Sequence, residues 1–213
     1  MKQQEKTQRT RERILAAAIA EFGSKSYASA SVNSICEAGG ISKGLLYHNF
    51  KGKDDLYLQC VKSCYEEMTA ALEAKPLEAC SARESLKTLL AMRQAFFSQH
   101  PHYANIFFNA VIQPPPHLTG ELAQIRRGFD EYLTRCCRDI LGCVILREGI
   151  TAELAMEYIT MFQEMFNGYF QKRAQRDGDY RALIGVHEDR LSGFFDIVLY
   201  GIARETVEER NGT

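Results

Sequence analysis

Residues 31–50 read SVNSICEAGGISKGLLYHNF, two short apolar-patterned segments hinged on a glycine pair. Ser31 stands where a helix wants its N-cap, with a hydroxyl able to accept from a free backbone N–H of the first turn. Val32, Ile35 and Cys36 fall on the inward side of a helix reaching Ala38. Gly39-Gly40 supplies a sharp turn, in which Gly40 takes a positive φ without a Cβ penalty. Ile41 anchors that turn to a core, Ser42 caps a second helix running to Asn49, and Leu46 and Phe50, four apart, face inward.

The pattern is a helix-turn-helix at about residues 31–50, and it leaves Lys43, Gly44, Tyr47 and His48 projecting outward together. That face suits a DNA groove. Lys43 can donate to guanine O6 or N7 or to a phosphate, Gly44 lets the backbone approach closely, and Tyr47 and His48 can donate to phosphates. The start of the second helix of such a motif reads base edges while the first lies across the backbone. Ser42 sits at that start; Asn33 is then a candidate base contact and Ser31 a candidate phosphate contact. Lys53 opens the next helix, where its charge joins the free backbone N–H groups in a ready anion site.

The flanking chain is helical almost throughout. Ile14, Leu15, Ala18, Ile19 and Phe22 recur on one face before a stop at Gly23, and a long helix is predicted from Lys53 to Ala74, ahead of Pro76. SARE at 81–84 is a capping box opening a helix with Leu86, Leu89, Leu90, Phe96 and Phe97. Pro101 suits a first helical position, and Pro114-Pro115-Pro116 forces a break. Leu122, Ile125, Phe129, Leu133, Cys136 and Ile140 mark a helix ending at Gly142. Two more are predicted, Thr151 to Arg173 and His187 to Glu205, separated by a polar loop at 176–179. No alternating strand pattern or internal repeat is read, so the predicted fold is all-α.

Of 213 residues, 46% are hydrophobic and 25% charged, ordinary for a globular chain with a sizeable core. The net charge of −1 hides an asymmetry: residues 1–53 hold nine Lys/Arg against four Asp/Glu, 9 − 4 = +5, and the remainder 17 against 23, −6. A basic N-terminal quarter on an acidic body points to a polyanion at one end. No run of about 18 apolar residues and no secretory h-region is seen, so a cytoplasmic protein without membrane partners is expected.

The seven cysteines form no C-x-x-C and no zinc-finger spacing, and read as small apolar residues. His100-Pro101-His102 lacks a nearby carboxylate or cysteine, so surface histidines are expected and no metal or other cofactor. Hydrolase, metalloprotease and phosphate-loop motifs are absent, which argues against an enzyme.

The helix from Thr151 is apolar on two adjacent stripes: Leu154, Tyr158, Met161 and Met165 beside Ala155, Ile159, Phe162, Phe166 and Phe170. The last helix repeats the theme with Leu191, Phe194, Phe195, Val198, Leu199 and Ile202. Such breadth implies full burial or a second partner, and two helices per protomer can build a four-helix interface in a two-fold dimer. The interface candidates are Tyr158, Phe162, Met165, Phe166, Leu191, Phe194, Phe195 and Val198.

From Thr10 to Leu58 the chain resembles the N-terminal domain of tetracycline-repressor (TetR-type) transcriptional regulators. The resemblance rests on Phe22-Gly23, Ser31-Val32, Ile35, Gly39-Gly40-Ile41-Ser42-Lys43-Gly44, Leu46-Tyr47-His48-Asn49-Phe50 and Lys53. Three departures, Leu45 for a frequent Thr and Gly39 and Cys36 at Ala positions, alter operator detail. The resemblance implies an all-helical homodimer, with residues 8–68 binding a palindromic operator and residues 69–213 binding a small effector that releases DNA. Apolar and aromatic effector contacts are sought at Tyr65, Met92, Phe96, Tyr103, Phe107, Phe129 and Phe162; Arg93, His117, Gln163, Glu164 and Asn167 could orient the ligand. A largely apolar or aromatic effector is expected. The rival readings are an all-α small-molecule carrier without specific DNA binding, and a thiol switch using Cys136, Cys137 or Cys143.

Overall fold

A computed structural model describes residues 2–75, 77, 81–177 and 180–206. Among these, nine α-helices follow one another: α1 (Lys2–Ser24), α2 (Val32–Ala38), α3 (Lys43–Asn49), α4 (Lys53–Glu73), α5 (Ala82–Gln99), α6 (Pro101–Ile112), α7 (Thr119–Gly142), α8 (Ala152–Asp177) and α9 (Tyr180–Ile202), with a single 3-10 turn at Pro116–Leu118. The fold is all-α. No helix of the described residues is long and apolar enough to cross a membrane.

Helix starts follow side-chain chemistry. Ser81 Oγ accepts from the Glu84 N–H at 3.2 Å to open α5, Thr151 Oγ1 accepts from the Leu154 N–H at 3.2 Å to open α8, and Pro101 opens α6. Two expectations are corrected. The last helix begins at Tyr180 rather than His187, because Leu183 and His187, four apart and both buried, extend the inward stripe upstream across Gly185. It ends at Ile202, and residues Ala203–Thr206 form a strand, β2, antiparallel to β1 (Val144–Leu146). A three-residue strand is too short to show alternation, and its partner lies far along the chain. Residues 178 and 179 of the anticipated polar loop, Pro76 and Cys80 lie outside the described residues.

The chain divides into two compact units. One holds Met1–Glu67 and Phe97–Arg127, the other Met68–Phe96 and Gly128–Thr213, so α4, α5 and α7 give residues to both. In the first unit, Ile14, Ala18 and Phe22 of α1, Ile35 of α2, Leu46 of α3 and Leu56, Tyr57 and Cys60 of α4 are buried. Phe22 and Tyr27 both meet the Tyr57 ring edge-on, at 5.1 and 5.0 Å. Helix α6 grips the end of α1: Asn105 Nδ2 donates to the Gly23 carbonyl at 2.7 Å and Asn109 Nδ2 to that of Lys25 at 3.3 Å. Two side-chain amides thus occupy carbonyls that a helix terminus leaves open.

The second unit packs α5, α7, α8 and α9 around Leu86, Ile140 and Leu199. Phe162, Phe166 and Phe170 on α8 meet Phe194 and Phe195 on α9 in a continuous aromatic cluster. A part-buried polar chain lies against it, with the buried His187 ring edge-on to Phe166 and Phe170. Arg93 donates to Glu188 at 2.7 Å, Glu188 lies 3.0 Å from His187 Nδ1, and His187 Nε2 is 3.3 Å from Asn167 Oδ1.

Candidate nucleic-acid interface

The glycine hinge closes α2 with paired backbone bonds. The Ile41 N–H reaches the Cys36 carbonyl at 2.8 Å and the Gly40 N–H reaches that of Glu37 at 3.2 Å, with Gly40 at φ +57°. This nested pair around a left-handed residue is a Schellman stop, with Ile41 folded back over Cys36. Ser31 Oγ accepts from the Ser34 N–H at 3.0 Å and Ser42 Oγ from the Leu45 N–H at 3.2 Å, so both short helices are capped as read from the sequence. The Ser31 N–H in turn donates to Glu21 Oε1 at 3.0 Å.

Leu46 is fully buried and Phe50 nearly so, which fixes the rotation of α3. On its other side Lys43, Gly44, Tyr47 and His48 are exposed, Tyr47 at 55%, and a Cβ built on Gly44 would meet no atom within 4 Å. Ser42 and, from α2, Asn33 are exposed beside them, whereas Ser31 is half-buried and its hydroxyl is committed to its own helix.

Lys53 is half-buried and engaged within the protein. Its ammonium lies 4.4 Å over the Tyr27 ring, and Nζ is 3.5 Å from the Ala28 carbonyl. The first turn of α4 also carries its own carboxylates: Asp55 accepts from the Lys51 N–H at 2.9 Å, while Asp54 accepts from the Tyr27 hydroxyl and pairs with His117 Nε2 at 3.2 Å. Burial, reinforced by the Asp54 carboxylate, pushes the Tyr27 hydroxyl up to about 12. An anion approaching this turn would meet two carboxylates beside the Lys53 ammonium.

Arg11 was not singled out by the sequence pattern. Its Nη1 donates to the Asn49 carbonyl at 2.9 Å, and its guanidinium sits 4.3 Å over the Phe50 ring. It therefore ties α1 to the last residue of the outward-facing helix, across 38 positions of sequence. No local spacing rule could have found it; a lone Arg on a basic helix reads as surface charge.

The effector candidates divide between the units. Tyr65, Tyr103 and Phe107 lie in the first, where Tyr65 and Phe107 rings stand 5.4 Å apart and Tyr103 Oη donates to Glu67 at 2.5 Å. Met92, Phe96, Phe129 and Phe162 lie in the second. All except the half-buried Met92 are buried and pack as core residues. Of the dimer candidates, Phe162, Phe166, Leu191 and Val198 are likewise core and Phe195 is half-buried; Tyr158, Met165 and Phe194 are exposed. The open apolar stripe also includes Leu154, Met161, Tyr169 and Ile197, the last 68% exposed. Burial pushes the Cys60, Cys64, Cys136 and Cys137 thiols upward, which disfavours the reactive thiolate that a redox switch needs.

A capped helix-turn-helix displaying cationic and aromatic donors on an all-α body has the outline of a DNA-binding headpiece. Residues 14–60 match the family model for bacterial regulatory proteins of the tetR family. A fatty acid metabolism regulator protein of Bacillus subtilis (strain 168) is 20% identical over 146 residues, 68% of this chain and 75% of its own. Among solved structures, a TetR family transcriptional regulator of Chloroflexus aurantiacus J-10-FL superposes with a TM-score of 0.60 at 23% identity, covering 93% of this chain and 95% of that one. The transcriptional regulator FadR of Bacillus subtilis, in complex with stearoyl-CoA, gives 0.59 at 20% identity, covering 84% and 95%. Those likenesses establish the fold, and the family match places residues 14–60 with the N-terminal domain of tetR-family regulatory proteins.

Proposed function

We propose that the protein is a homodimeric repressor, released from a palindromic operator by a small, largely apolar effector. The observation that carries this reading is the exposed face of α3, where Lys43, Gly44, Tyr47 and His48 are free for a groove while buried Leu46 holds the helix in register. Each protomer inserts α3 into a major groove, and the pair engages half-sites about 34–36 Å apart. The exposed stripe of α8 and α9 supports self-association through a two-fold face. The likeness to a regulator solved with stearoyl-CoA supports an effector with an acyl chain or a comparable hydrocarbon part. Such an effector releases DNA only to the extent that it prefers the released conformation.

Selection of bound fragments from a random DNA pool, at about 0.15 M salt, tests the reading. A two-fold symmetric enriched motif is expected. On that motif Lys43→Ala loses specific affinity and flattens the salt dependence by about one charge. Absence of any enriched motif, with ligand affinity retained, would replace the regulator by an all-α small-molecule carrier.

A further inference from the structure

Helix α1 starts well ahead of the headpiece core: no residue from Glu5 to Arg13 is buried, and Ile14 is the first that is. Within this stretch Lys6, Arg9 and Arg13 are spaced three and four apart, which at 3.6 residues per turn puts them within about 60° of arc. All three are exposed, and none has a side-chain hydrogen bond or an ion-pair partner among the described residues. Glu5 and Glu12 stand on one flank of this stripe, where Glu12 accepts from Gln8 Nε2 at 2.9 Å. Like charges one turn apart weaken a helix, so the stripe does nothing for the stability of α1 itself. The family match begins at residue 14, past all three cations.

Arg11 fixes where the stripe stands. It lies on the opposite side of α1 and holds this turn against the end of α3 through the 2.9 Å bond to the Asn49 carbonyl. The major groove is about 12 Å wide, and one helix with its side chains fills about 10–12 Å. With α3 in the groove, a second helix held against its last residue stands over the groove wall, which is sugar-phosphate backbone. Lys6 to Arg13 covers about 10 Å of helix axis, and a DNA strand carries a phosphate about every 3.4 Å of duplex axis. Each cation therefore has a phosphate of its own within reach.

We propose that Lys6, Arg9 and Arg13 form a second DNA contact, gripping backbone phosphates beside the groove that α3 reads. The inference rests on the DNA-binding reading above and adds to it a term that is independent of base sequence. Cations on phosphates hold a protein in place and carry no sequence information directly, so the stripe raises affinity for any duplex while α3 supplies the preference. An acidic protein surface would satisfy the same three charges, but the Arg11 tie sets them beside α3.

The test uses the full chain and a fluorescein-labelled duplex of mixed sequence, about three helical turns long, with affinity measured between about 0.05 and 0.2 M salt. Replacing Lys6, Arg9 and Arg13 together by Gln should make the log–log salt dependence shallower by about 2.7, at about 0.9 per phosphate. Affinity at about 0.1 M salt should fall at least tenfold. Lys62→Gln with Lys87→Gln, which removes two exposed cations from α4 and α5, should leave the slope unchanged. Arg9→Gln alone, with a third of the drop, serves if the triple variant melts early. An undiminished slope in a folded stripe variant, an equal fall per charge in the Lys62 and Lys87 control, or a wild-type chain that does not bind the duplex would overturn the contact. A stripe variant that changes only self-association at low salt, as read by sedimentation, would assign the stripe to a second copy and overturn it as well. The mixed-sequence duplex needs no operator, so failure here and failure of the operator selection are read separately.

Discussion

Replacing Arg11 by Met removes one charged fork while leaving most of the side-chain stem in place. The guanidinium donates to the Asn49 carbonyl at 2.9 Å and lies 4.3 Å over the Phe50 ring. A hydrogen bond from a charged donor contributes about 1.5–3 kcal/mol, and a cation over an aromatic face about 0.5–1 kcal/mol at exposed sites. Arg11 is half-buried, so the lower ends apply, and the expected loss is about 2 kcal/mol, roughly thirtyfold in the folding equilibrium. The damage should be concentrated in α3, whose seven residues are too few to persist without tertiary support. Equilibrium urea unfolding in the absence of DNA should show a lower midpoint with an unchanged slope. Amide exchange should show α3 losing protection first. Arg11→Lys should recover only part of the loss, since an ammonium cannot reproduce the planar fork. Wild-type stability and undiminished α3 protection in Arg11→Met, with only DNA affinity lost, would refute the strut and make Arg11 a phosphate ligand.

Three further outcomes follow from features of the two units. A Cβ at Gly23 would stand 2.4 Å from His102 Cβ and 2.7 Å from its Cα, so Gly23→Ala should cost about 1–3 kcal/mol by forcing α6 off α1; an unchanged melting temperature would contradict that contact. Burial lowers the His187 pKa below 6.5, so below that pH the unfolded chain binds more protons than the folded one, and stability falls as pH falls. Burial pushes Glu188 upward, but Arg93 and the His187 hydrogen bond outweigh it, so its contribution is lost below about 4.5 in the same direction. The melting temperature should therefore drop from pH 7 to pH 5, and His187→Gln should flatten that drop; parallel curves would exclude His187 as its source. Glu introduced at both Met161 and Met165, which are 53% and 60% exposed, should raise the dissociation constant of the proposed dimer at least a hundredfold, as read by sedimentation, while the melt stays cooperative.

Caps and stops were legible because each depends on residues within one helical turn. Ser31, Ser42, Ser81, Pro101 and the Gly39-Gly40 hinge all act at a distance of a few positions, and the structure places each as the local chemistry requires. The outward set on α3 was legible for a related reason: once Leu46 and Phe50 point inward, 3.6-residue geometry leaves Lys43, Gly44, Tyr47 and His48 little choice.

Contacts distant in sequence were not legible. The tie from Arg11 to Asn49, the Asp54–His117 pair and the β1–β2 pairing join positions whose residue types are ordinary on their own. The placement of Lys53 over the Tyr27 ring was equally illegible, since a cation at a helix start carries no sign of an aromatic partner 26 positions upstream. Most of the aromatic effector candidates are buried among core side chains, as aromatics fill cores more often than they line cavities. One pocket among the described residues is bounded by aliphatic residues, one half-buried cysteine and Phe195.

The helix-turn-helix keeps its grammar and its vocabulary on different side chains. Leu46, Phe50, the serine caps and the glycine hinge decide whether α3 exists and which way it turns; Lys43, Tyr47 and His48 contribute to neither. Under the proposed DNA contact, substitution at those exposed positions rewrites which sequence is read at almost no cost in folding, with no compensating change in the core. On that reading a lineage carrying this headpiece can move to new operators one outward residue at a time, each intermediate keeping the buried positions that hold the fold.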